Sequence, residues 1–371
     1  MGHKRKKVVI SGYYGFDNCG DEAVLLAIIH CLRALAPDLR LVVLSANPQK
    51  TAALYGVEAA DRWKPFTVLW RLLGCRLFIS GGGSLLQDVT SKRSPRYYFS
   101  VIRLGQIFAR KTMIYAQGIG PLSVKSNQAQ AVKLLEKCDE VVLRDGESAA
   151  FLKQLGLTKY VRQCSDPVMA LSYEEVKQEE GRALLEAMGM LDSRGRKEKP
   201  LLLVSPRCWG DGAHLREIAR ALDAQAAAGW DVLLVPAHFP GDMEAIDQIG
   251  GHMEERFYLL GKTLTAAQYL SLTAMADKVF SMRLHGLISA MAMGVPMVVL
   301  SYDLKVSAFM EQAGMSAYCL SLEDFSGEKA AALLEELEYL PLAIRETQET
   351  RRKEMQEMAW ETARLAVELL G

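Results

Sequence analysis

One segment of the chain, between residues 278 and 305, restricts the fold more than any other. Residues 278–281 form an apolar run of strand length, and after a polar turn the chain continues as an apolar helical pattern that stops at Gly294. Pro296 then opens a second apolar run at residues 297–300. Two such strands with a helix between them predict parallel neighbours in an α/β sheet. In open sheets of this kind the turn after a strand lies at the carboxyl edge, where ligands bind.

The polar turn of this segment, Met282-Arg283-Leu284-His285-Gly286, carries potential cations. Arg283 and His285 lie at a predicted helix start, whose free N–H groups attract anions. Lys305 follows the next predicted strand. The pattern therefore predicts a site for a phosphate or a carboxylate. An isolated histidine at a helix start is more often a structural hydrogen bonder, but Arg283 and Lys305 favour a functional interpretation of His285.

Composition indicates an intracellular α/β enzyme. A length of 371 residues favours two domains. The 44 basic and 44 acidic residues give no overall field for nucleic acid, so none is expected as a partner. The seven cysteines form no C-x-x-C pair, which is typical of reduced cytosolic thiols. The charged N-terminus does not resemble a signal peptide, and the longest apolar run, residues 287–300, is too short to span a bilayer. We therefore expect a cytoplasmic protein.

Strand and helix patterns alternate through both halves of the chain. Residues 21–36 have helical spacing after the first strand. The predicted strands are residues 8–10, 41–44, 77–79, 113–115 and 141–143 in the first half and 201–204, 232–235, 257–259, 279–280 and 298–300 in the second. This order predicts an α/β fold of two doubly wound Rossmann-like domains that face a cleft, as in glycosyltransferase-B enzymes.

Shifts in composition set the expected domain boundaries. Residues 1–172 are expected to form the first domain and residues 200–341 the second. Charged and small residues dominate 173–199, which predicts an exposed linker or hairpin. Residues 342–371 have one long helical pattern, which we expect to cross back to the first domain.

The loop after the first strand, residues 11–22, contains polar residues between glycines. Its glycines permit tight turns and close approach to a ligand. Asp17 and Asn18 can bind sugar hydroxyls, and Tyr14 lies beside them in the sequence. Asp21 is expected to cap the following helix. The spacing is not that of the G-x-G-x-x-G dinucleotide fingerprint.

A second loop, residues 80–88, contains three consecutive glycines and ends at Asp88. Gly82 and Gly83 suit a backbone nest for an anion or space for a sugar. A tight strand-to-helix turn accounts for the glycines equally well.

Two arginines follow other predicted strands. Arg144 can hold a carboxylate or a phosphate bidentately, and an ion pair with Asp145 or Glu147 is the alternative. Arg207 and Trp209 follow the first strand of the second domain and either line the cleft or pack within their loop.

No metal or cofactor site is predicted. His214, His238 and His252 lack metal-ligand spacing with one another. We therefore expect an enzyme without cofactor whose activity is independent of metal ions.

Taken together, these motifs resemble the polysaccharide pyruvyl transferases. The resemblance rests on the loops at 12–22 and 81–88, on Leu143-Arg144-Asp145, and on the turn at 282–286 with Gly294-Val295-Pro296. It covers nearly the whole chain. It implies phosphoenolpyruvate as the donor substrate and a lipid-diphosphate-linked disaccharide ending in N-acetylmannosamine as the acceptor. The implied product is a 4,6-pyruvate ketal on a secondary cell-wall polymer precursor, which serves S-layer anchoring.

The resemblance also implies which residues form the site. Arg144, His285 and Lys305 match residues that grip phosphoenolpyruvate, and we expect these three to converge across the cleft, with Arg283 and Gly286 beside them. The expected catalytic residues are Arg144, His285, Lys305 and Asp17. The acceptor is expected to contact the first domain through Tyr14, Asp17, Asn18, Gly82, Gly83, Asp88, Arg93 and Arg96.

Three stretches of the chain, residues 4–7, 63–73 and 92–99, are basic or mix basic with aromatic residues. Basic residues attract anionic lipid, and a lipid-linked acceptor requires a membrane-facing side, so we expect peripheral contact with the cytoplasmic face. A solvated terminus and two half-buried helices are the alternative.

Two other functions fit the same pattern. A glycosyltransferase-B enzyme can hold the diphosphate of a nucleotide sugar at the same strand-turn-helix. A non-catalytic sugar- or anion-binding protein is the third candidate. Binding of phosphoenolpyruvate or of uridine diphosphate, and turnover, distinguish the three.

Overall fold

The computed structural model describes residues 6–89, 92 and 94–371, and the chain divides into two units. The first unit comprises the described residues up to Phe16, together with Asp21–Ala170 and Met355–Gly371. The second unit comprises Asp17–Gly20 and Leu171–Glu354.

The first unit contains a seven-stranded parallel sheet in the order β3-β2-β1-β4-β5-β6-β7. Its strands are β1 (Lys7–Ser11), β2 (Arg40–Ser45), β3 (Glu58–Asp61), β4 (Leu77–Gly81), β5 (Lys111–Gln117), β6 (Glu140–Leu143) and β7 (Arg162–Gln163). The helices between them are α1 (Cys19–Leu35), α2 (Pro48–Tyr55), α3 (Pro65–Leu72), α4 (Ser94–Phe108), α5 (Lys125–Leu135) and α6 (Gly146–Gln154). The order of the strands reverses between β1 and β4, so the loops after these two strands lie at the switch point where doubly wound sheets bind ligands.

The second unit contains a six-stranded parallel sheet in the order β10-β9-β8-β11-β12-β13. Its strands are β8 (Leu201–Ser205), β9 (Asp231–Leu234), β10 (Tyr258–Leu259), β11 (Lys278–Ser281), β12 (Met297–Ser301) and β13 (Cys319–Ser321). Its helices are α7 (Gln178–Ala187), α8 (Ala213–Ala227), α9 (Met243–His252), α10 (Ala266–Met275), α11 (Leu284–Met293), α12 (Leu304–Gln312) and α13 (Gly327–Glu336). The equivalent switch point lies between β8 and β11.

The central strands have continuous apolar runs because helices cover both faces of each sheet. Every residue of β1 after Lys7 is buried, as is every residue of β4, β8 and β11. Each fully buried valine, leucine or isoleucine contributes about 1.5–3 kcal/mol of transfer free energy. This pattern confirms the predicted α/β class and the doubly wound arrangement of both halves.

Three strands were not predicted from the sequence, and all three lie at the edges of their sheets. They are β3, β7 and β13, each only two to four residues long. An edge strand buries less of its surface than a central one, so it lacks the apolar run that reveals the central strands.

The stretch expected to be a linker belongs to the second unit. Helix α7 packs on α10 so closely that a Cβ on Gly181 would lie 2.6 Å from the Ser271 hydroxyl. Only the charged end of the stretch is a hairpin, in which Leu191 pairs antiparallel with Lys197. The C-terminal residues form one helix, α14 (Leu342–Glu368), whose residues from Met355 onward group with the first unit.

Within the described residues, no helix combines the length and the apolarity that crossing a membrane requires.

Candidate active site

The polar turn in the second unit lies at the carboxyl end of β11. Arg283 is the N-cap residue of α11, and no capping hydrogen bond joins its side chain to the described residues of the helix. Ser281 Oγ closes the turn by accepting the backbone N–H of Arg283 at 2.9 Å. A Cβ on Gly286 would lie 2.5 Å from Ser281 Oγ and 3.1 Å from the Tyr269 hydroxyl. Gly286 therefore lets the helix start approach the strand end, where the helix dipole favours an anion.

A buried carboxylate holds Arg283 in place. The Arg283 guanidinium forms an ion pair with Asp242, which is fully buried and also accepts the backbone N–H of His238 at 2.9 Å. The Nε atom of Arg283 is buried without a hydrogen-bond partner in the part of the chain that the structure describes. Burial lowers the pKa of Arg283 to about 10, so the group stays charged at neutral pH. A fixed charge with an unsatisfied buried donor is suited to bind an anion.

His285 and Lys305 lie in the first turns of two consecutive helices, α11 and α12. These helices follow β11 and β12, which are parallel neighbours in the sheet. Asp303 caps α12 by accepting the backbone N–H of Lys305 at 2.9 Å. The His285 ring lies against Gly20, where an added Cβ would overlap the ring atoms. The structure thus places His285 and Lys305 after the carboxyl ends of two neighbouring strands.

A further cation, Arg207, follows β8, the other neighbour of β11. Its Nη1 donates to the Tyr302 hydroxyl at 2.7 Å, and the guanidinium lies 5.3 Å from the Trp209 ring centroid. Burial lowers the pKa of His238, and the charges of Arg283 and Arg207 lower it further. Arg207 and Arg283 therefore contribute to one region of positive potential. The sequence alone did not decide whether Arg207 lines the cleft or packs within its loop.

In the first unit, Arg144 is part of a buried ion pair. Its Nη1 lies 2.6 Å from Asp166 Oδ2, and its Nη2 donates to Ser84 Oγ at 3.2 Å. The predicted alternative was an ion pair with Asp145 or Glu147, but Asp145 instead caps α6 by accepting the backbone N–H of Ser148 at 2.7 Å. The partner of Arg144 is Asp166, far along the chain.

Asp21 lies in the first turn of α1, in the same electrostatic environment as this ion pair. Desolvation raises the pKa of Asp21 to about 7; Glu22 and Asp166 also raise it, and Arg144 opposes the shift. A carboxyl group that titrates near neutral pH can act as a general acid or base. The sequence alone favours a helix-capping role for Asp21 over a catalytic one.

Tyr14, expected to contact the acceptor, is instead part of the core. It is buried, and its hydroxyl donates to the carbonyl oxygen of Gly81 at 3.4 Å. The residue before it, Tyr13, is exposed, and its ring stacks on that of Phe16 with ring centroids 4.1 Å apart.

Asp17 and Asn18, expected on the first domain, group with the second unit. Asn18 forms an antiparallel bridge with His238, and the next backbone N–H, that of Cys19, donates to the Ala237 carbonyl at 3.1 Å. The Asn18 side chain accepts the backbone N–H of Gly20 at 3.0 Å and so caps the start of α1. Asp17 has a left-handed φ of 58°, which is strained for a non-glycine residue.

The glycine loop after β4 fits against α1. Gly82 and Gly83 both have positive φ, and a Cβ on Gly83 would lie 2.7 Å from Asp21 Oδ1. A Cβ on Gly82 would overlap the Val24 side chain. Both the tight turn and the close packing therefore require glycine here.

Asp88, another expected acceptor residue, has a structural role. Its carboxylate accepts the backbone N–H groups of Ser123 at 2.7 Å and Val124 at 3.0 Å, and the Asn127 side chain at 3.1 Å. Desolvation raises the pKa of Asp88, but these hydrogen bonds outweigh it and lower the pKa to about 2. Because the carboxylate is buried and protein donors occupy both oxygens, Asp88 orders the start of α5.

The remaining predicted residues are less informative. Arg96 is exposed on α4, and Arg93 lies outside the described residues. Within the residues that the structure describes, no group of three histidine, cysteine, aspartate or glutamate side chains could hold a metal ion. Metal independence stays a prediction.

The two sheets define the class of protein. The chain is similar to HepE from Anabaena in complex with UDP-glucose, at 16% identity over 98% of this chain and 99% of that one, with a TM-score of 0.65. It is also similar to a putative UDP-N-acetylglucosamine 2-epimerase from Listeria monocytogenes, at 13% identity over 96% and 94% of the chains, with a TM-score of 0.66. Identities this low establish the fold alone, which is that of glycosyltransferase-B enzymes and related epimerases.

The family follows from the sequence itself. The polysaccharide pyruvyl transferase family matches residues 18–303, and the chain belongs to this family. The protein is therefore an enzyme, a transferase. A search of the curated proteins finds no match.

Proposed function

We propose that the enzyme transfers the pyruvyl group of phosphoenolpyruvate to a lipid-diphosphate-linked cell-wall polymer precursor. The product is a 4,6-pyruvate ketal on N-acetylmannosamine, and phosphate is released. The observation that carries the donor assignment is the group of Arg207, Arg283, His285 and Lys305, which follow three neighbouring strands of the second unit. Membership of the pyruvyl transferase family supports the type of transfer.

Phosphoenolpyruvate fits this group because it carries a phosphate and a carboxylate within a few ångströms. The start of α11 supplies a helix dipole for one anion. Arg283, fixed by Asp242, supplies a guanidinium that does not need to reorganise during the reaction. Lys305 supplies a point charge for the other anionic group. The implied contact of Arg144 with the donor stays a prediction.

The proposed chemistry consumes one proton at carbon and releases two from the sugar. Protonation of the methylene carbon makes C2 oxocarbenium-like, and the first sugar hydroxyl attacks C2 and loses its proton. The bond between C2 and the bridging phosphate oxygen then breaks, and phosphate leaves with the bonding electron pair. The second hydroxyl attacks C2, loses its proton and closes the ketal. Fixed cations stabilise the departing phosphate, and a titratable group must serve the methylene.

We assign His285 as the hydrogen-bond donor to the phosphate and as the general acid, because it lies at the helix start, two residues after Arg283. Among the acceptor residues, we retain Asp17, the Gly82–Gly83 turn and Arg96, and we omit Tyr14 and Asp88.

Lys305→Ala tests the donor site, and Lys329→Ala is its matched control. Lys329 is exposed on α13 in the same unit, outside the cation group. Removing one preorganised charge from a transition state costs about 10²–10³-fold in kcat. We expect Lys305→Ala to lose phosphate release by about this factor and Lys329→Ala to retain it. Equal rates for both variants and the wild type would reject the donor site.

A nucleotide-sugar transferase is the second candidate, because HepE, which has the same fold, is in complex with UDP-glucose. The discriminating measurement is calorimetric titration with phosphoenolpyruvate and with UDP-glucose in parallel. Binding of UDP-glucose without binding of phosphoenolpyruvate would replace the proposal with this candidate.

A further inference from the structure

The first unit contains a long segment with very uneven charge. Between residues 62 and 135 the sequence has twelve lysines and arginines and a single acidic residue, Asp88. The whole chain has 44 basic and 44 acidic residues, so this segment is strongly basic and the remainder is acidic. The Asp88 carboxylate is buried and bonded to the protein, and it offsets only one of the twelve basic charges of the segment.

The same segment exposes large apolar side chains on one side of α3. Phe66 and Trp70 are 87% and 72% exposed, and they lie four residues apart, on one face of the helix. Trp63 and Leu73, at the two ends of the helix, are 60% and 44% exposed. The opposite face, with Val68 and Leu72, is buried. We call Trp63, Phe66, Trp70 and Leu73 the aromatic face.

The Trp63 end of the aromatic face is held by packing. Arg62 is buried, its Nη1 donates to the Gly12 carbonyl at 2.7 Å, and its guanidinium lies 5.1 Å from the Trp63 ring centroid. The Trp63 ring lies 5.5 Å from that of Tyr97, at the start of α4. A rigid, exposed apolar surface loses little conformational entropy when it is covered.

Cations border the aromatic face on two sides. A cavity of about 310 Å³ beside Trp70 is lined by Lys7, Arg40 and Arg71. Arg40 and Arg71 share one carboxylate, that of Glu58, at 2.9 and 2.8 Å, so positive charge is in excess there. Near Trp63, Arg96 is exposed and supplies further positive charge, and exposed Lys64 lies 3.6 Å from an Asp61 carboxylate oxygen.

We infer that the aromatic face and its bordering cations dock the enzyme on an anionic lipid bilayer. The apolar rings enter the interfacial region, where tryptophan is favoured, and the lysines and arginines face lipid phosphates. An exposed aromatic helix with basic neighbours has the features of an interfacial amphipathic helix. The inference depends on the proposed function only for its purpose, because a lipid-linked acceptor stays in the membrane while its sugar reacts.

The test is sedimentation of the full chain with two kinds of vesicle, one of phosphatidylcholine alone and one that also contains phosphatidylglycerol. We expect binding to the anionic vesicles that weakens with salt, and little binding to the neutral ones. Phe66→Ser with Trp70→Ser should reduce binding at least tenfold. The matched control is Tyr339→Ser with Leu342→Ser, which removes two equally exposed apolar side chains from the second unit and should bind as the wild type does.

The charge arm is Lys64→Glu with Arg96→Glu, which should shift binding of anionic vesicles to lower salt and leave the aromatic rings in place. Failure of the wild type to sediment with anionic vesicles would overturn the inference. Equal binding by the wild type and the Phe66/Trp70 variant would also overturn it. So would a wild type that is dimeric and binds no vesicles, together with a Phe66/Trp70 variant that is monomeric.

Pyruvyl transfer to a short-chain, water-soluble acceptor separates this inference from the proposed function. The Phe66/Trp70 variant should retain transfer to the soluble acceptor and lose transfer to acceptor in vesicles. Vesicle binding by an enzyme that never consumes phosphoenolpyruvate would reject the proposed function and leave the docking surface established.

Discussion

Replacing Arg144 tests whether its role is structural, catalytic or both. The side chains of Arg144 and Asp166 are 8% and 3% exposed, and their charged atoms lie 2.6 Å apart. Arg144→Ala leaves the Asp166 carboxylate buried without its cation, which costs about 3–5 kcal/mol of folding stability. The sequence alone predicts that this variant loses turnover while it stays folded. The buried ion pair instead predicts a loss of stability together with the loss of turnover.

A double-mutant cycle separates the two effects. Asp166→Asn removes the charge while keeping an oxygen in reach of the Val168 backbone N–H, which the carboxylate now accepts at 3.1 Å. The Arg144→Ala/Asp166→Asn variant should therefore regain part of the stability lost by Arg144→Ala, measured by urea denaturation. If Arg144 also binds the donor, turnover stays low in the stabilised double variant. An Arg144→Ala protein within about 0.5 kcal/mol of the wild type would refute the structural reasoning.

Three further predictions follow from the titratable and buried groups. Burial raises the pKa of Asp21 to about 7, so the folded state binds the proton more tightly than the unfolded state does. The stability of the wild type should therefore fall by at most about 4 kcal/mol as the pH rises from about 4 to 7. An Asp21→Asn variant that shows the same fall would contradict this. Asp88→Ala should cost about 1–3 kcal/mol because it leaves the Ser123 and Val124 N–H groups unpaired, with an unchanged KM for the acceptor; a raised KM at full stability would restore Asp88 to the acceptor site. Chelator should leave activity unchanged, whereas activity lost with chelator and restored by a divalent ion would contradict metal independence.

The fold was largely predictable because parallel strands covered on both faces need continuous apolar runs. β1, β4, β8 and β12 each coincide with such a run. The helices between them were predicted from the helical spacing of their apolar residues and from the length of each pattern. The edge strands could not be found in this way, because β7 is only Arg162–Gln163 and both residues are exposed. Helix α7 was hidden because its charged outer face dominates the composition of its segment.

The sequence predicted the position of the candidate site better than it predicted the contacts of the individual side chains. The turn after β11 was found because cationic residues between two apolar elements, at the carboxyl end of a parallel strand, indicate an anionic ligand. Arg144 was also singled out, and its contact with the donor stays a prediction. Its partner Asp166 was not anticipated, because the two are brought together only by the folded chain. The burial of Tyr14 beside an exposed Tyr13, and the occupied oxygens of Asp88, likewise depend on tertiary packing that no local pattern encodes.

The most direct test of the proposed function is the reaction itself. The enzyme is incubated with phosphoenolpyruvate labelled in its pyruvyl carbons and with a lipid-diphosphate-linked disaccharide ending in N-acetylmannosamine, and the glycan and the free phosphate are both quantified. We predict one labelled, acid-labile ketal on the terminal sugar for each phosphate released, with the loss of two sugar hydroxyls visible by mass analysis. An unlabelled glycan, or label attached through a single ester or ether bond, would contradict the account.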